Sequence, residues 1–139
     1  MKPSPFEYLR PSSLAETLEV LDRNGKDAKL IAGGQSLVPS LNFRETSCKI
    51  LVDLSSIESF SEIEVSANQI RIGAMVRQSE LDQNDAIKQR FPEFAALLPK
   101  VGFPATRNRG TIGGSIAWAD PTLGKRAANS GKRCLIASF

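Results

Sequence analysis

The chain has 139 residues, 41% hydrophobic and 24% charged, which is the composition of one globular domain with its own core rather than of a disordered segment. With no histidine and only Cys48 and Cys134, Ser-His-Asp triads, Cys-His dyads, zincin helices, His-ligated haem and four-thiolate iron–sulfur or zinc sites are all excluded. The net charge of +3 resides in the tail: all 15 acidic residues lie at or before Asp120, facing 14 Lys and Arg, whereas the last 19 residues carry Lys125, Arg126, Lys132 and Arg133 and no acid, so the main body is not expected to bind nucleic acid.

Pro3, Pro5 and Pro11 suit an extended opening segment. Ser13-Leu14-Ala15-Glu16 has the spacing of a capping box, and Leu14, Leu18 and Leu21 then share one helical face before Asn24-Gly25 ends the helix. Lys29-Leu30-Ile31-Ala32 is predicted as a short strand running into Gly33-Gly34-Gln35-Ser36, after which Leu37 to Leu41 form a turn of helix interrupted by Pro39. Lys49 to Leu54 is a second apolar strand. Glu62–Val65 and Gln69–Met75 alternate in polarity across Ala67-Asn68 and predict a hairpin. From Arg77 to Lys100 the period becomes helical, with Leu81, Ile87, Phe91, Phe94, Leu97 and Leu98 as buried candidates and Pro92 as a break or helix start. Val101 to Ser115 is rich in Gly, Pro, Asn and Arg and is expected to be a working loop. Beyond Pro121 neither period persists.

No stretch resembles a secretory signal and none approaches the roughly 20 apolar residues that cross a bilayer, so the cytoplasm, without membrane association, is the expected compartment. Asp53 and Asp120 have no nearby acid at a spacing that suggests a catalytic pair.

Two segments share one chemistry: Gly33-Gly34-Gln35-Ser36 and Thr111-Ile112-Gly113-Gly114-Ser115. Each is expected to present consecutive backbone N–H groups unshielded by Cβ atoms, together with a hydroxyl, which is what a diphosphate requires. Neither is a P-loop, which needs Lys after its last glycine, nor a GxGxxG fingerprint. On the residues alone, glycine pairs also serve as plain tight turns, Arg107 and Arg109 as solvated loop cations, and Trp118 as core or interface.

Ile31-Ala32-Gly33-Gly34-Gln35-Ser36-Leu37-Val38-Pro39 and Thr106-Arg107-Asn108-Arg109-Gly110-Thr111-Ile112-Gly113-Gly114-Ser115-Ile116-Ala117, with Lys2-Pro3-Ser4-Pro5-Phe6-Glu7-Tyr8 and Arg71-Ile72-Gly73-Ala74, resemble the FAD-binding medium subunit of molybdenum hydroxylases of the carbon monoxide dehydrogenase and xanthine dehydrogenase type. The resemblance covers about residues 1–120. It implies the N-terminal part of an α+β, vanillyl-alcohol-oxidase or PCMH-type FAD-binding domain, with a small α/β subdomain near 1–55 and the start of a second, incomplete α+β subdomain over 56–120. It further implies that Ala32, Gly33, Gly34, Gln35, Ser36 and Leu37 form one pyrophosphate loop. Thr111, Ile112, Gly113, Gly114 and Ser115 would form the other, with Thr106 and Gly110 shaping its approach. By the same resemblance the partners are a molybdenum-cofactor large subunit and an iron–sulfur small subunit. Electrons would pass from the clusters through FAD to an external acceptor, with no catalytic acid or base required of this chain.

Trp118 stands where relatives usually have His, Gly124 where they have an acid, and Lys125 to Phe139 departs from the family pattern. Residues 121–139 are therefore expected to be an irregular tail of out-of-frame or otherwise truncated sequence, and FAD binding by this chain alone is expected to be weak or absent. Two rival functions remain at this level: a docking module that retains no flavin, and an anion or nucleic-acid binder using Arg107, Arg109 and the basic tail.

Overall fold

The computed structural model describes residues 1–118 and the backbone of 135–136. The expectation of an irregular 121–139 tail otherwise falls outside the described residues. Strand β1 (Glu7–Leu9) leads to helix α1 (Leu14–Asn24), where Ser13 Oγ accepts from Glu16 N–H at 3.2 Å. The Glu16 carboxylate returns to the amide of Ser12 at 2.8 Å, so the capping box forms with its return arm reaching one residue further back. The inward face of α1 centres on buried Thr17 with Leu14 and Leu21 beside it, while Leu18, expected on that face, is 54% exposed.

Strand β2 (Ala28–Ile31) and helix α2 (Leu37–Asn42) precede β3 (Ile50–Asp53). These strands form a parallel sheet in the order β1-β3-β2, with Glu7 and Ala28 both opposite Ile50. Pro39 does not interrupt α2. It is the third residue of the helix, within the first turn, where the fixed φ of proline is already helical. Leu41, Cys48 and Leu51, with Phe6, Ile31 and Leu37 against them, form the apolar cluster of this half.

The expected hairpin is β4 (Ile63–Val65) and β5 (Ile70–Ile72), antiparallel with Glu64 opposite Arg71 and closed by the Ser66 amide on the Gln69 carbonyl at 2.9 Å. Residues 77–100 are not one helix. They form α3 (Gln78–Gln83), α4 (Asp85–Arg90) and α5 (Pro92–Ala95), then a 3₁₀ turn at Leu98–Lys100. Asn84 causes the first break, since its Oδ1 accepts from Ile87 N–H at 3.1 Å and starts a new helix, and Pro92 starts the next. Of the expected core residues Leu81, Ile87, Phe94, Leu97 and Leu98 are buried and Phe91 is half-buried; Ile70, Ile72, Val76, Val101 and Ile112 complete the core.

The segment 101–115 is less of a loop than its composition suggests. It contains α6 (Pro104–Arg107) and the start of α7 (Ile112–Ala117), the latter capped by Thr111. Finally β6 (Leu135–Ile136) pairs in parallel with β5, Ile72 opposite Ile136, so a two-residue strand lies within the tail expected to be irregular.

Candidate functional site

The two glycine segments are 70 or more residues apart in the chain yet share one cavity of about 400 Å³. A methyl group built on Gly33 would run into the Arg109 carbonyl oxygen and lie 2.8 Å from Gly110 Cα, so the backbones of the two segments touch there and only glycine permits it. One built on Gly114 would lie 3.9 Å from Ala32 Cβ. Of the thirteen expected binding residues, Ala32, Gly33, Gly34, Gln35, Ser36, Leu37, Thr106, Gly110, Thr111, Gly113, Gly114 and Ser115 line this cavity. Ile112 does not. It is fully buried in the core cluster with Leu81 and Leu98, and its amide donates to Val76 O at 3.0 Å.

In the first segment the chain leaves β2, takes a left-handed turn at Gly34 (φ +70) and enters α2. The carbonyls of Gly34 and Ser36 accept from the amides of Val38 and Ser40 at 3.0 and 3.2 Å, as the first turn of a helix requires. The N–H groups preceding that turn have no helical acceptor, and Ser36 supplies no side-chain cap. Among the described residues the amides of Gly33, Gly34, Gln35 and Ser36 donate to nothing, which leaves four consecutive donors for a ligand.

The second segment departs from the expected chemistry. The Gly113 amide donates to Ala74 O at 2.9 Å, that of Gly114 to Thr111 Oγ1 at 3.2 Å and that of Ser115 to Thr111 O at 3.1 Å, so the amides of Gly113 to Ser115 are already engaged, and only that of Thr111 has no acceptor among the described residues. Gly113 is required instead by packing, because a Cβ there would sit 2.7 Å from both the Ala74 Cβ and its carbonyl oxygen. What this segment can offer a ligand is the Thr111 N–H and hydroxyl protons. Thr111 Oγ1 already accepts from Gly114, and Ser115 Oγ accepts from Gln78 Nε2 at 2.7 Å, while neither hydroxyl has an acceptor for its own proton among the described residues.

Gln78, Lys29 and Trp118 also line the cavity, although none of them was expected as a binding residue. Gln78 is 3% exposed and its Oε1 has no partner among the described residues, although burying such an acceptor unpaired costs about 1–3 kcal/mol. Lys29 is the one charged residue on the described wall, and it sits at the end of the cavity formed by β2. Trp118, read as core or interface, is 53% exposed and lines the cavity. No spacing signal in the sequence marks any of the three.

The arginines divide. Arg107 Nη1 donates to the carbonyls of Pro99, Val101 and Gly102 at 3.1, 3.3 and 3.0 Å and so clasps the turn before α6 rather than standing free in solvent. Arg109 has an exposed side chain, and its contribution to the site is the carbonyl against Gly33. Outside the cavity, Tyr8 OH donates to Asp53 Oδ2, tying β1 to β3. Burial opposes ionisation of Asp53, but the bonds from Tyr8 and from the Ser55 amide outweigh it and hold the carboxyl below its usual range, while the same bond raises the Tyr8 phenol. Burial likewise raises the Cys48 thiol. Among the described residues no group of three or more His, Cys, Asp or Glu side chains is placed to hold a metal ion, and no helix is long and apolar enough to cross a membrane.

The amides of Gly33 to Ser36, the hydroxyls of Thr111 and Ser115 and the Lys29 ammonium all belong to residues that line this cavity, and donors of these kinds are what an oxyanion pair such as a diphosphate requires. Residues 4–129 match the family described as FAD binding domain in molybdopterin dehydrogenase. The chain is 43% identical over 120 residues to the 6-hydroxypseudooxynicotine dehydrogenase complex subunit alpha of Paenarthrobacter nicotinovorans, covering 86% of this chain and 40% of that one. Carbon monoxide dehydrogenase from Hydrogenophaga pseudoflava superposes with a TM-score of 0.84 at 38% identity, over 87% of this chain and 42% of the other. Quinoline 2-oxidoreductase from Pseudomonas putida 86 does so with a TM-score of 0.81 at 42% identity, over 86% and 42%. The chain spans about two fifths of the length of the relatives it matches. It has the α+β fold of the N-terminal portion of that domain, and it belongs to the family of FAD-binding medium subunits of molybdenum hydroxylases, whose cofactor is FAD.

Proposed function

We propose that this chain grips the diphosphate of FAD within an electron-transfer subunit that works beside an iron–sulfur small subunit and a molybdenum-cofactor large subunit in the cytoplasm, delivering electrons to an external acceptor. The observation that carries the reading is the single cavity bounded by both glycine segments, with the amides of Gly33 to Ser36 left without acceptors among the described residues. The residues present fit the group: the first segment holds phosphate oxygens through its N–H donors, Thr111 and Ser115 donate from the opposite wall, and Lys29 adds a positive charge. FAD, when bound, supplies the redox chemistry, and the chain's part is to bind and orient it.

The site described grips a diphosphate and offers little else, so FAD affinity is weak and ADP, which shares that diphosphate, competes for the same place. Titration of the purified chain with FAD, followed by flavin fluorescence, tests this. Saturable binding reversed by ADP is expected, and the lack of any saturable signal refutes it for this chain. The chain's two-fifths share of its relatives' length favours one second reading, a docking module that retains no flavin, and that same null titration is the result it predicts.

A further inference from the structure

We propose that Gln78 is a positioning residue of this site, holding Ser115 so that the serine hydroxyl acts as a donor toward the ligand; the inference rests on the FAD reading above. Two bonds tie Gln78 to opposite ends of the second segment. Its backbone N–H donates to Gly110 O at 2.9 Å, just before the segment, and its side-chain Nε2 donates to Ser115 Oγ at 2.7 Å. A hydroxyl that accepts a strong bond keeps its own proton for another acceptor, so Gln78 sets the direction of polarity at Ser115 without touching the ligand itself. Thr111 is set the same way by the Gly114 amide, and the wall facing the open amides of Gly33 to Ser36 thereby becomes a wall of donors. That pairing suits a fully ionised diphosphate, which has acceptors and no protons to give.

A second observation separates this role from packing. Gln78 is 3% exposed, and its Oε1 is the buried side-chain oxygen that lacks a partner among the described residues. A methionine of the same length would leave no buried acceptor unsatisfied at this position and would give up only the bond to Ser115. The amide is retained where half of its bonding capacity goes unused, and the half that is used points at Ser115.

The test uses the full chain with FAD as the probe, and compares Gln78→Met, Ser115→Ala and the double variant by FAD titration and by thermal melting without ligand. The expected result is a melting temperature for Gln78→Met equal to or above that of the unaltered chain, with FAD affinity lower by about tenfold, as befits one hydrogen bond to a charged group. Ser115→Ala loses a similar factor, and the double variant loses no more than Ser115→Ala does alone, because Gln78 acts through that hydroxyl. Unchanged FAD affinity in Gln78→Met, or losses that multiply in the double variant, overturn the proposal while leaving the FAD reading intact. If Gln78→Met fails to fold, Ser115→Ala decides, and an affinity equal to that of the unaltered chain overturns it. Failure of the unaltered chain to bind FAD at all overturns this proposal together with the reading beneath it.

Discussion

Gly33→Ala adds one methyl group at the point where the two segments meet. The new carbon would lie 2.8 Å from Gly110 Cα and closer still to the Arg109 carbonyl oxygen, and both are backbone atoms with no rotamer to retreat into. Carbon–carbon contacts relax to about 3.5–4.0 Å, so the segments must separate by roughly 0.7–1.2 Å. Overpacking of this kind costs about 1–3 kcal/mol, which for a chain of this size lowers the melting temperature by roughly 3–10 °C. The same displacement takes an amide out of hydrogen-bond range of a phosphate oxygen on the far wall. Losing one such charge-assisted bond weakens FAD by about 10- to 100-fold. Circular-dichroism melting and FAD titration read the two effects. Gly25→Ala is the control for affinity: its φ of +50° makes the substitution cost stability, but nothing among the described residues lies within 4 Å of its added carbon, and it should leave FAD affinity unchanged. A Gly33→Ala chain with unaltered melting and unaltered affinity would refute the claim that this contact sets the geometry of the site.

Arg107→Ala releases three carbonyls and is expected to destabilise the chain by about 1–2 kcal/mol in urea while leaving the salt dependence of FAD affinity as it was; a flatter salt dependence would show Arg107 on the ligand instead. Thr111→Val keeps the shape of a 3%-exposed residue but removes the cap of α7, costing about 1 kcal/mol in denaturant unfolding and weakening FAD as well, and equal stability would mean the cap is not formed. Because Asp53 titrates below its usual range in the folded chain, its contribution is complete above the ordinary carboxyl value and is lost as pH falls through the lowered one. Tyr8→Phe removes the donor, so the acid limb of the stability curve moves to higher pH and meets that of the unaltered chain once Asp53 is protonated in both. Curves that stay parallel throughout the acid range would contradict this.

Local chemistry made part of this structure readable. Ser13 and Glu16 announced the start of α1, the turn between Val65 and Ile70 announced the hairpin, and the pairing of glycine segments marked the cavity. What was not readable depends on partners distant in the chain. The amides of Ile112 and Gly113 are engaged by Val76 and Ala74, more than thirty residues earlier, so a segment that looks like a bare anion loop is a packed helix start. The break at Asn84 escaped because Leu81, Ile87 and Phe94 keep an apolar rhythm straight through it. Leu18 has the spacing of a core residue, yet the sheet accepts the face carrying Thr17. Gln78 sits in a polar run between helical signals, and only its burial and its bond to Ser115 reveal it.

Amide resonances of isotope-labelled chain, followed by NMR as FAD is added, probe the central claim at the atoms concerned. The account predicts that Gly33, Gly34, Gln35 and Ser36 shift together and saturably, with Gly113 and Gly114 moving less because their N–H groups already have acceptors. Shifts confined to other regions, or larger at Gly113 and Gly114 than in the first segment, would contradict it.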